Sequence, residues 1–164
     1  MAPGAEPVWW REGDMPAVDE AIAPSDRGPA NVGQAKWMAK SALDALRSAR
    51  PDIAATVDAA LVGAGKPLVS WDAPALDSNE AKSQYAPLLV GQLKAISAPF
   101  YAALHAAEPA WLLTEMQASQ TRDGSDSLNP YPWTSASGDD RNTAPANLAQ
   151  LKAVFSLRFE SLPP

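Results

Sequence analysis

The chain has 164 residues, 46% hydrophobic and 20% charged, with a formal net charge of −6 and no cysteine. This is long and apolar enough for one packed domain, and it excludes the disordered class. The missing thiols exclude disulfide frameworks, thiolate zinc sites and cysteine nucleophiles, and the acidic balance makes nucleic acid and anionic membrane surfaces poor partners.

Residues 1–28 read as a leader loop carrying Trp9 and Trp10. Met1-Ala2-Pro3-Gly4-Ala5-Glu6-Pro7 has neither a basic n-region nor an apolar core, and no stretch approaches ~18 apolar residues, so neither a signal peptide nor membrane insertion is expected. From residue 29 a phrase sets the organisation. Pro29-Ala30-Asn31-Val32-Gly33-Gln34-Ala35-Lys36 returns as Pro87-Leu88-Leu89-Val90-Gly91-Gln92-Leu93-Lys94 and as Pro145-Ala146-Asn147-Leu148-Ala149-Gln150-Leu151-Lys152, at an interval of 58 residues (92 − 34 and 150 − 92). Such a period predicts a mainly α fold: one domain, 29–164, built from a tandem helix-pair repeat of units 29–86, 87–144 and a partial 145–164.

The phrase reads as a helix start. Asn31 is an N-cap whose box Gln34 closes, and Asn147 with Gln150 repeats the device. Leu89 replaces the cap residue in the second phrase, so there only Gln92 remains. Gly33 and Gly91 leave room for close backbone approach, and Ala149 takes the third such place.

The first helix then carries Ala35, Met38, Ala39, Ala42, Leu43, Leu46 and Ala49 at helical spacing, and its counterpart carries Leu93, Ile96, Phe100, Leu104 and Ala107. Pro99 is expected to kink the counterpart or shift its start. Pro51 and Pro109 open second helices, and Gly63-Ala64-Gly65 ends the first of these. Long linkers rich in Pro, Asp, Ser and Gly, roughly 63 to 86 and 121 to 144, follow. In the third unit, Val154-Phe155-Ser156-Leu157-Arg158-Phe159 alternates with period two and is compatible with a short terminal strand. A third unit ending after one helix is expected to leave an apolar edge for a partner subunit or the rest of a longer parent chain.

Candidate chemistry sits in the linkers. Trp71, Tyr131 and Trp133 are possible platforms for a glycan, against the plainer role of pinning each loop to the helices. Asp123, Asp126 and Asn129 are possible calcium ligands, although the run does not follow the EF-hand pattern. His105 is the sole histidine and cannot build a multi-histidine metal site. Asp139 with Asp140, or Asp19 with Glu20, are carboxylate pairs, but adjacent acids on a loop do not imply the two carboxyls across a cleft that glycoside hydrolysis needs. No catalytic residue and no cofactor other than calcium is therefore assigned. Lys36, Lys94 and Lys152 stand apart, because a cation near a helix start opposes the macrodipole and calls for a specific acceptor, expected to be a linker Asp.

Ala144-Pro145-Ala146-Asn147-Leu148-Ala149-Gln150-Leu151-Lys152 and Tyr85-Ala86-Pro87-Leu88-Leu89-Val90-Gly91-Gln92-Leu93-Lys94, with Tyr131-Pro132-Trp133 before the last phrase, resemble a repeat of large secreted or surface proteins of verrucomicrobial-type bacteria, some of which carry RHS repeats. The resemblance covers most of residues 29 to 160 and departs at Leu89 and Ala149. It brings no established activity. It implies an exported parent protein, of which this chain is one module, with a cell-surface or extracellular location. The resulting expectation is a non-enzymatic structural or protein-interaction module, with a carbohydrate-binding module or a calcium-stabilised adhesin as alternatives.

Overall fold

The computed structural model describes residues 29–71, 79–122, 142–155 and 157–164. The protein is mainly α, and its described helices are α1 (Val32–Ala49), α2 (Pro51–Gly63), α3 (Asn79–Gln84), α4 (Val90–Ala107), α5 (Pro109–Arg122) and α6 (Leu148–Phe155), followed by a 3-10 turn at Phe159–Ser161.

The start of α1 follows from its cap. Asn31 is extended (φ −112°, ψ 168°), its Oδ1 accepts from the Gln34 N–H at 2.7 Å, and Gln34 Oε1 accepts from the Asn31 N–H at 2.9 Å. Two otherwise unpaired donors are thereby satisfied. Asn147 and Gln150 make the same pair of bonds at 2.8 and 3.0 Å. At α4 Leu89 has no side-chain acceptor, and only the bond from its N–H to Gln92 Oε1 (2.8 Å) is made.

Proline and glycine set the other boundaries. Arg50 and Glu108 each separate a helix pair by one residue, with near-identical backbone angles (φ −143°, ψ 85° and φ −143°, ψ 67°). A residue before proline is pushed out of the helical region, and the proline that follows suits a first turn because its missing N–H has no helical role there. α2 ends in a Schellman motif: Lys66 N–H donates to Leu61 O (2.8 Å), Gly65 N–H donates to Val62 O (3.0 Å), and Gly65 takes φ 72°.

α1 buries Ala35, Ala39, Ala42, Leu43 and Leu46 on one stripe, and α2 buries Ile53, Ala54, Val57 and Leu61. α4 buries residues around more of its circumference, Leu93, Ile96, Phe100, Tyr101 and Leu104 among them, because α1, α2, α5 and α6 all pack on it. It runs unbroken through Pro99. The Tyr101 hydroxyl donates to Val154 O at 2.7 Å, tying the centre of α4 to the end of α6, and burial pushes its pKa well above the usual tyrosine range.

The three phrases meet at the middle of the molecule. Antiparallel bridges join Asn31 to Pro87, Leu89 to Pro145 and Asn147 to Pro29. Their central residues form a closed triangle: Leu88 N–H donates to Ala30 O (2.9 Å), Ala146 N–H to Leu88 O (2.7 Å) and Ala30 N–H to Ala146 O (3.0 Å). All three are buried. The flanking contacts also recur 58 residues on, Val32 N–H donating to Ala86 O and Val90 N–H to Ala144 O.

The end of the chain departs from the sequence expectation. Alternation over 154–159 is compatible with a strand, yet α6 continues to Phe155 and a 3-10 turn follows. Nor is the edge beyond the third phrase left bare. The 3-10 turn packs on α1, Phe159 stacks on Trp111 of α5 (ring centroids 6.3 Å apart), and Leu157, Phe159 and Leu162 are buried. Glu115 of α5, 4% exposed, accepts from the Arg158 N–H (3.2 Å) and Nη2 (3.3 Å), while Trp111 Nε1 donates to Ser161 Oγ (2.8 Å).

Candidate functional site

The phrase residues that the sequence singles out are placed by the helix starts. Gly33 and Gln34 are buried in α1, with Gln34 Nε2 donating to none of the described residues. Gly91 lies against Asn142: its N–H donates to Asn142 O at 2.9 Å, and an added Cβ would stand 2.9 Å from that oxygen. Asn147 and Gln150 cap α6, and Lys152 lies on that helix with its side chain outside the described residues.

The lysines separate into different environments. Lys94 is 5% exposed, and its Nζ donates to Asn142 Oδ1 at 2.9 Å. One acceptor of this ammonium is thus the carboxamide of Asn142, and the linker aspartates Asp139 and Asp140 lie outside the described residues. Position 84, 58 residues before Asn142, is Gln84. Its Nε2 donates to Ser83 Oγ (2.9 Å), and its buried Oε1 accepts from none of the described residues. Lys36 is half-buried beside it in sequence register, and desolvation lowers its pKa below the usual lysine value.

Lys36 instead lines a cleft of about 520 Å³ with Lys66 and Trp71. Its apolar wall comes from Val32, Pro67, Leu68, Leu88 and Ile96, with Gln92 at one side. The Schellman turn after α2 puts Lys66, Pro67 and Leu68 against the α1 and α4 starts, and Lys40 Nζ donates to the Trp71 carbonyl, holding the segment across α1. The volume falls within the usual range for a small-molecule site, which is characteristically apolar with a few polar groups. Of the sequence candidates, Trp71, Lys36 and Gln92 come together here. Lys66 and Leu68 were missed, since neither is marked by the repeated phrase.

A second group joins the helix ends. Arg50 holds Asp52 bidentately (2.9 and 2.8 Å), reaches Glu108 Oε1 at 3.1 Å, and donates to Pro163 O at 2.9 Å. The hydrogen bonds from Arg50 hold the Asp52 carboxyl at about 2 and, with those to Glu108, push the guanidinium up. This constellation is a joint between α1, α4 and the terminal segment.

His105 is exposed at the end of α4 and borders an apolar cleft with Pro109, Leu112 and Met116. Tyr131, Trp133, Asp123, Asp126 and Asn129, the remaining glycan and calcium candidates, lie outside the described residues, as do Trp9, Trp10, Asp19, Glu20, Asp139 and Asp140. Among the described residues no three His, Cys, Asp or Glu side chains converge in a metal-holding group, and no helix is long and apolar enough to cross a membrane. Comparison with protein-family models, with curated proteins and with solved structures finds no match.

Proposed function

We propose that this chain is a non-enzymatic structural or protein-interaction module, in which three units of a 58-residue repeat close on one another instead of stacking in an open row. The observation that carries this reading is the triangle of backbone hydrogen bonds through Ala30, Leu88 and Ala146. It spends the repeated phrase on architecture: proline for the extended approach, asparagine for the cap, glycine for close packing and glutamine for the box. The resemblance to repeats of large secreted and surface proteins supports an extracellular or cell-surface parent, with self or the rest of that parent as partner.

Truncation tests the closure. A variant ending at residue 122 keeps α1 to α5 but loses the third phrase, and with it two sides of the triangle. A closed module then loses its cooperative urea transition. A shortened chain that still unfolds in one sharp transition refutes closure, because an open stack of helix pairs survives loss of a terminal unit. Turnover of any member of a glycan, peptide and ester panel by the intact chain, abolished by Lys36→Met or Trp71→Ala, refutes the non-enzymatic part.

A further inference from the structure

We propose that the cleft beside Trp71 binds a small amphipathic carboxylate, an aryl or medium-chain acid, with its anionic head between Lys36 and Lys66 and its apolar body against Val32, Pro67 and Trp71. This goes beyond a structural role for the repeat.

The argument begins with the lysines. The chain is acidic overall, net −6, yet two ammonium groups line one cleft. Among the described residues no carboxylate pairs with either of them. Lys94, 58 residues after Lys36, shows what an internally held lysine looks like in this fold: nearly fully buried, with Asn142 Oδ1 among its acceptors. Gln84 stands where Asn142 would be needed for Lys36, and its amide is turned to Ser83. Lys36 therefore keeps its hydrogen-bonding capacity for the cleft. Its ammonium is half out of water, a condition that a bound anion relieves. Burial lowers the lysine pKa, and a bound carboxylate opposes that shift.

The body of the ligand follows from the walls. Leu68, Leu88 and Ile96 back the cleft and are buried, whereas Val32 and Trp71 are half-buried and Pro67 is exposed, so these three supply the apolar surface open to a ligand. Trp71 adds an indole to this lining, on a backbone that the bond from Lys40 to its carbonyl holds. A bare inorganic anion would leave this apolar surface wet, and a sugar would find few partners for its hydroxyls against aliphatic carbons. A carboxylate carrying a ring or short alkyl chain satisfies both parts of the cleft.

The test uses the intact chain and ligand-observed fluorine NMR with 4-(trifluoromethyl)benzoate as probe, 4-(trifluoromethyl)benzamide as its neutral counterpart and octanoate as competitor. Saturable benzoate binding is expected, displaced by octanoate and weakened about tenfold or more in Lys36→Met, since one charge-assisted bond carries at least that factor. Lys82→Gln, which removes an exposed lysine of α3, leaves it unchanged. Far-UV circular dichroism and the urea midpoint of Lys36→Met check that the variant is folded, and Trp71→Ala supplies a second, independent loss. Three results overturn the proposal: no saturable binding of the benzoate, equal affinity for the neutral amide, or benzoate affinity unchanged in a folded Lys36→Met.

Discussion

Replacing Gly91 by alanine separates helix propensity from packing, because the two push in opposite directions. Gly91 sits near the start of α4 with ordinary helical backbone, so propensity alone favours alanine by about 0.5–1 kcal/mol. The new Cβ, however, would stand 2.9 Å from Asn142 O, 3.0 Å from Asn142 Cβ and 3.4 Å from Asn142 Cα. Two of these three atoms are backbone, which cannot swing aside like the end of a long side chain. Overpacking of this kind costs about 1–3 kcal/mol, and the required shift weakens the Gly91 N–H to Asn142 O bond, a further ~1 kcal/mol. Packing wins, with a net destabilisation of about 1–3 kcal/mol from those terms. Gly63 is the matched control at the end of α2: no atom lies within 4 Å of its added Cβ, so Gly63→Ala is neutral or gains up to about 1 kcal/mol. Urea unfolding followed by far-UV circular dichroism reads both variants. A Gly91→Ala midpoint at or above that of the parent chain refutes the reasoning, because it requires Asn142 to move at no cost.

Glu115→Ala removes the acceptor for the Arg158 N–H and Nη2 and should cost about 1–3 kcal/mol, discounted from a fully buried pair because Arg158 is 55% exposed. Hydrogen exchange should rise first at 157–162, and uniform loss of protection across α2 as well would count against a local latch. Tyr101→Phe strands the Val154 carbonyl and should lower stability by about 1–2 kcal/mol. In the parent chain the raised Tyr101 pKa means that ultraviolet titration shows this phenol ionising only as the protein unfolds. For Asp52 the folded value, about 2, lies below the ordinary 3.8, so its contribution is present above the ordinary value and is lost as pH falls from near 4 through 2. Asp52→Asn should flatten the acid limb of the stability profile over that window; an unchanged slope would show that the Arg50 pair does not form in solution.

Elements defined by local chemistry were legible in the sequence. The Asn31 and Asn147 boxes, the helix starts at Pro51 and Pro109 and the stop at Gly65 each depend on residues within one or two turns, so pattern and structure agree. α3 was not legible, because Asn79-Glu80-Ala81-Lys82-Ser83-Gln84 carries no apolar periodicity and lies in a stretch that reads as linker. At the other end, alternation over Leu157, Arg158 and Phe159 correctly marks buried, exposed and buried positions, yet the backbone closes into a 3-10 turn. Period two reports which side chains face inward and not whether a neighbouring strand exists to pair with. The candidate site was half legible. Trp71 and the unexplained Lys36 stood out by type and recurrence, whereas Lys66 reads as the tail of a helix stop, and only the fold of the 64–71 segment brings it to the same cleft.

The triangle also limits how the phrases can combine. Each central residue uses its N–H on one phrase and its C=O on another, so the triangle engages every N–H of Ala30, Leu88 and Ala146 and one bond at each of their carbonyls. In an open solenoid every unit buries one face and presents a new one, and growth stops only at a polar cap. Here a fourth phrase finds no free N–H on the three central residues, so it cannot add a fourth bond in the same pattern without displacing one of the three. The flanking prolines reinforce this, because Pro29, Pro87 and Pro145 offer no N–H of their own to an incoming strand. The phrases thus meet one another through their backbones at the triangle, while Val32, Lys36 and Gln92 of the same phrases line the cleft that Trp71 borders.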